Sequence, residues 1–188
     1  MRNLLINNEN LHLMTSGQGD VYNVKRLLNN NALTQSQSIK FGKIFEKFIK
    51  DLIKGQGFEL INEEYVDVYG IGSKTNKGKK DLDICFIKGD TIFYFESKLN
   101  LALDSEKSKA TDDKIVEITN YLVENNKDMK VVSGLITCWF EKEKNMVITP
   151  KTNLFFIQDF LELIGIEIEK EEYYNMMSDF GKLIIGNN

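Results

Sequence analysis

The stretch GKKDLDICFIKGDTIFYFESKLN, residues 78–100, decides how this chain is read. Residues 81–88 form one strand-like run, Lys88-Gly89-Asp90 reads as a tight turn, and residues 91–98 form a second run, so the segment predicts an antiparallel hairpin. Both arms carry charge at the end far from the turn: Asp81 and Asp83 on the first, Glu96 and Lys98 on the second. Side chains alternate along a strand, so Glu96 and Lys98 share one face while Ser97 points away. The same rule puts Asp81, Asp83 and Cys85 together. Asp83 precedes Glu96 by thirteen residues. With a three-residue turn the two are not expected to be cross-strand neighbours in a flat hairpin; meeting requires splayed strands or a bent first strand.

Outward from the hairpin, TQSQSIKFGKIFEKFIKDLIKGQGF (34–58) predicts a helix. Thr34, Ser36 and Ser38 offer caps, apolar residues at 41, 44, 45, 48, 49, 52 and 53 keep the helical period, and Gly55 and Gly57 end it. Residues 58–70 read as one strand leading into the basic loop KTNKGKK (74–80). After the hairpin, residues 111–128 read as an amphipathic helix, 131–140 as a central strand covered on both faces, and 146–149 as a short strand. Closing helices are expected at 153–165 and 171–184. The order predicts an α/β fold with a central mixed sheet flanked by helices. The chain of 188 residues fits one domain: an arm or helical lead-in over 1–33, a core over 34–166 and a C-terminal helix over 167–188.

Composition narrows the function. Apolar residues make up 42% and charged residues 28%, and no apolar run approaches a membrane span. The first residues lack a secretory cleavage pattern, so a cytoplasmic protein is expected. Cys85 and Cys138 sit in apolar runs and read as buried free thiols, and the single histidine, His12, excludes a His-rich metal site. The net charge of −4 taken alone argues against nucleic acid; two local lysine clusters, Lys74, Lys77, Lys79 and Lys80, and Lys107 with Lys109, read first as solvated loops, though they could line a DNA cleft by themselves.

Charges that end an apolar strand pair must reach solvent, pair with one another or bind a cation. Carboxylates from two strands are hard donors suited to Mg²⁺, which accepts one or two of them together with waters and a substrate phosphate. A lysine beside them would orient or deprotonate a water attacking phosphorus. Acid-any-Lys occurs three times, at Glu96-Lys98, Asp112-Lys114 and Asp128-Lys130. The latter two fall at the ends of the expected helix and read as surface charge.

Asp83 opening the first apolar run and Glu96-Ser97-Lys98 closing the next resemble the PD-(D/E)xK nuclease superfamily. The resemblance implies a restriction-endonuclease-like core and Mg²⁺-dependent phosphodiester hydrolysis, with Asp83 and Glu96 on the metal and Lys98 at the water. Leu82 stands where the signature has proline, which leaves Asp81 as a competing or supporting acid; Asp83 is preferred because an apolar run follows it directly. Many such enzymes add a glutamate from the preceding helix. Glu46 occupies that place, although among Lys43, Lys47 and Lys50 it reads equally as surface charge. The continuation Asn100, Leu103-Asp104-Ser105-Glu106-Lys107, Thr111 and Lys114 is similar to a subset of type II restriction endonucleases. That implies a homodimer cutting double-stranded DNA at a specific site, with the lysine clusters on phosphates and a cognate methyltransferase on the same site. The alternatives are a junction resolvase, repair or mobile-element nuclease of the same fold, or a non-catalytic DNA-binding module.

Overall fold

The computed structural model describes residues 35–61, 65–68 and 79–185. Helix α1 (Gln35–Gly55) is followed by strands β1 (Glu59–Leu60), β2 (Tyr65–Asp67), β3 (Lys79–Asp81), β4 (Ile84–Lys88) and β5 (Thr91–Ser97). Helix α2 (Ser105–Asn125), strands β6 (Lys130–Ile136) and β7 (Leu154–Phe155), and helices α3 (Ile157–Leu163) and α4 (Lys170–Ile185) complete the order. The main sheet runs β1-β4-β5-β6-β7, antiparallel as far as β5 and parallel from β5 to β7. The expected α/β architecture with a mixed central sheet and flanking helices is therefore present. Among the described residues no helix is long and apolar enough to cross a membrane.

Strand alternation divides the core in two. Ile84, Phe86, Phe93, Phe95 and Ile136 face α1, α3 and α4, where Phe41, Phe45, Ile49, Ile53, Phe160 and Tyr173 are buried. Cys85, Ile92, Tyr94 and Leu135 face the other way, onto Ile115, Ile118 and Leu122 of α2. β5 is covered on both faces, which is why TIFYFES is nearly continuous in apolar residues. Aromatic rings fill the first layer: Phe86 stacks on Phe93 at 5.2 Å between centroids, and Phe95 meets Phe155 edge-on at 4.8 Å. Both cysteines are buried and free.

Several elements differ from their sequence expectation. The strand expected over 58–70 is two short strands in different sheets: β1 pairs with β4, while β2 pairs with β3 in a separate ribbon. The strand expected over 81–88 is likewise broken, with Asp81 ending β3 and β4 beginning at Ile84. Helix α2 starts at Ser105 rather than 111, because the Asp104 side chain accepts the Lys107 backbone N–H and caps the first turn. Its polar opening turns still bury Ser108 and Thr111, so apolar periodicity underestimates the helix. Residues 137–140 leave the strand but stay buried, and 146–149 form no strand; there the Thr149 hydroxyl and backbone bind Leu101 and Leu103. β7 occupies the expected start of the helix at 153, and α3 begins only at Ile157.

Candidate active site

The hairpin turn decides the site. Lys88 pairs with Thr91 across a two-residue loop, Gly89-Asp90, rather than the expected three, and Gly89 adopts φ 61°, which favours glycine. The ladder runs to Ile84 opposite Phe95, so the next positions, Asp83 and Glu96, face each other. No splaying is needed, since each acid lies the same distance from the turn. Both point to the α2 side of the sheet, along with Cys85 and Tyr94.

Asp83 sits just before β4, and its Oδ2 accepts the Ser97 N–H at 2.9 Å. Its Oδ1 faces the Lys114 ammonium at 3.6 Å. Glu96 is only 4% exposed and is saturated with donors. Lys98 Nζ donates to Oε1 at 2.7 Å; Lys114 Nζ lies 2.6 Å from Oε2, which also accepts the Tyr94 hydroxyl at 3.1 Å. Lys114 thus stands at the centre of the site, against the expectation that Asp112-Lys114 is surface charge. A signal for this was present: Lys114 falls on the helix face of Thr111, Ile115 and Ile118, all of them buried.

Electrostatics follow from burial and these partners. Burial pushes the Asp83 carboxyl above the ordinary carboxylate value, and the Glu96 charge adds to it, with Lys114 and the Ser97 N–H opposing. Burial also opposes ionisation of Glu96, but the Lys98 and Lys114 ammoniums together outweigh it and hold that carboxyl below its usual range. Burial works against the charged form of Lys114 as well, yet Glu96 and Asp83 keep its pKa raised. Tyr94, buried beside Glu96, is held firmly as a neutral phenol. Half-buried Glu46 is brought to the same end of the sheet: burial first, then the charge of Asp83, raises its pKa, and Glu96 contributes in the same direction.

The remaining candidates divide. Asp81 is exposed on the β2–β3 ribbon, and its charge reaches Lys114. Lys79 is exposed, whereas Lys80 pairs with Glu117 of α2 at 2.7 Å. Lys107 is exposed and bonded to Asp104 at 2.8 Å; it lies seven residues before Lys114 and so on the same helix face. Lys109 is turned away, lining a groove of about 730 Å³ with Asp112, Asp113 and Lys151. Lys74 and Lys77 lie outside the described residues, as does the N-terminal arm.

Two facing carboxylates flanked by two ammoniums can bind a divalent cation or stand as a closed ion-pair cluster. Among the described residues no group of three or more His, Cys, Asp or Glu side chains is placed to hold a metal ion. The donor set of Asp83 and Glu96 nonetheless fits Mg²⁺, which takes one or two carboxylates and completes its shell with water and phosphate. No protein-family model and no curated protein matches this chain.

Proposed function

We propose that the protein is a Mg²⁺-dependent, site-specific double-stranded DNA endonuclease of the type II restriction kind. It would have a restriction-endonuclease-like core and act as a cytoplasmic homodimer alongside a methyltransferase of the same specificity. The observation that carries this is the placement of Asp83 directly across from Glu96, with Lys98 beside them on the strand that ends the apolar hairpin. Two buried free thiols fit a reducing compartment.

Asp83 and Glu96 would hold the metal, which when bound supplies positive charge against the phosphoryl oxygens. The Ser97 N–H fixes one Asp83 oxygen and thereby aims the other into the site. Lys98, held against Glu96, orients the water that attacks phosphorus in line with the departing O3′, and the P–O3′ bond breaks. Glu46, at the edge of the same cluster, is the third acid within electrostatic reach. Lys79 and Lys107 lie exposed to meet backbone phosphates.

The test is incubation of purified protein with unmethylated plasmid and phage DNA, with Mg²⁺ or EDTA, beside Lys98→Ala. Discrete Mg²⁺-dependent bands, absent with the variant, are expected, and their mapped ends give site and stagger. Cleavage only of branched or nicked DNA would indicate a structure-specific nuclease instead. The closed ion-pair cluster favours one other reading, a DNA-binding module without catalysis, and DNA binding with every substrate left intact would establish it.

A further inference from the structure

Each carboxylate of the pair has one oxygen committed elsewhere. Asp83 Oδ2 is held by the Ser97 N–H, and Glu96 Oε1 by Lys98. The other two, Asp83 Oδ1 and Glu96 Oε2, share one neighbour, the Lys114 ammonium, 3.6 Å from the first and 2.6 Å from the second, and Oε2 also accepts the Tyr94 hydroxyl. Lys98 bonds only Glu96, and on its other oxygen. We propose that Lys114 is a resident counter-cation: its ammonium fills the position between Asp83 and Glu96 that a divalent metal must take, and metal binding displaces it.

The geometry favours displacement over sharing. Mg²⁺ binds carboxylate oxygens at about 2.0–2.1 Å. An ammonium donating to those same oxygens would stand close beside the dication and compete with it for the same two negative charges. Lys98 can stay where it is, because Oε1 is not needed. Lys114 reaches the site from α2 on a flexible stem and is 19% exposed, so it has a path outward. Asp81, whose charge already acts on it, and the DNA phosphates are its next partners.

The consequence separates this role from a structural one. A lysine that merely props the carboxylates would, when lost, leave them disordered, and metal binding would weaken. A lysine that occupies the metal position competes, and its loss tightens metal binding. The inference rests on Asp83 and Glu96 being the metal ligands, and the experiment tests that separately.

Mn²⁺ binding to the DNA-free protein is measured by electron paramagnetic resonance of the free ion, for wild type, Lys114→Met, Lys114→Arg, Asp83→Asn and, as a charge-count control, Lys142→Met. The expected result is Mn²⁺ affinity on the order of tenfold tighter in Lys114→Met, as for release of a charge-assisted pair. Lys114→Arg should bind no more tightly than wild type, and Lys142→Met should match it. Thermal melts in EDTA should show Lys114→Met less stable than wild type, with a larger gain on adding Mn²⁺. Unchanged or weaker Mn²⁺ binding by folded Lys114→Met overturns the inference while leaving the nuclease reading intact, provided Asp83→Asn abolishes binding. Should Lys114→Met fail to fold, tighter binding by Lys114→Arg than by wild type overturns it. No Mn²⁺ binding by wild type and by folded Lys114→Met alike overturns the inference together with the metal role of Asp83 and Glu96 on which it rests.

Discussion

Glu96→Gln is the most informative single change, because it alters charge with almost no change of shape. The carboxylate is buried and accepts from Lys98 at 2.7 Å, Lys114 at 2.6 Å and Tyr94 at 3.1 Å. The amide keeps one acceptor but leaves two ammoniums without their shared counter-ion, and its NH₂ group points donors at a donor. A hydrogen bond to a charged group contributes about 1.5–3 kcal/mol. The Lys98 share must be discounted, since its side chain is 32% exposed and partly screened by solvent. The variant also escapes the cost of burying a charge, which offsets part of the loss. The net destabilisation is about 2–3 kcal/mol, which for a chain of this size lowers Tm by about 4–12 °C.

The assay is a thermal melt followed by circular dichroism in EDTA near neutral pH, with no DNA, so that it reads the network and not catalysis. The sign of its pH dependence is fixed by the depressed Glu96 carboxyl. Stability from this group is fully present above its ordinary value of 4.5 and is lost as pH falls through the lower value of the folded protein. The gap between wild type and variant should therefore close on acidification. A Tm within about 1 °C of wild type at neutral pH would mean that the ammoniums do not rest on Glu96 in solution.

Two further outcomes follow from the geometry. A Cβ on Gly134 of β6 would stand 2.4 Å from the Asn153 carbonyl oxygen and 2.8 Å from the Phe155 ring. Gly134→Ala should cost about 1–3 kcal/mol in a urea melt by prising β7 from the sheet, whereas Gly55→Ala, with open space around it, should not destabilise; equal stabilities would refute the close approach. On the proposed nuclease reading Asp83 must be ionised to bind metal, and burial with the Glu96 charge raises its pKa above 3.8. Mn²⁺ affinity and cleavage should thus decline on acidification at a pH above that of an unperturbed aspartate, and profiles flat down to about pH 4 would contradict this.

Much of the site was legible because it lies in one hairpin. Alternation alone places Glu96 with Lys98, and apolar periodicity finds the buried face of α1 at Phe41, Phe45, Ile49 and Ile53. The register was not legible, since it hangs on whether the loop holds two residues or three. A one-residue change there flips every side chain of one strand relative to the other. Lys114 was misread for a different reason. With the helix expected to begin at 111, Lys114 falls in its first turn and reads as solvated end charge. The helix in fact begins at Ser105, so Lys114 lies on its inner face, beside Ile115 and Ile118, and meets two carboxylates where its neighbours meet apolar side chains. The second ribbon was invisible locally, because β2 and β3 are three residues each and owe their existence to pairing rather than propensity.

Topology explains why these parts converge. β5 and β6 are parallel, so the chain must cross over between them, and α2 is that crossover. A crossover helix packs on one face of the sheet, here the face that carries Tyr94, Glu96 and Asp83, which delivers Lys114 to the carboxylates without any loop having to hold it. The carboxylates thereby have counter-charges as soon as the core forms, and no metal is needed to neutralise them during folding. A structural zinc site works the other way, since there the ligands have no alternative partner and the domain unfolds when the metal is removed. On the proposed metal-binding reading, a site already neutralised by its own lysines would gain and lose a divalent ion while the sheet beneath it stays intact.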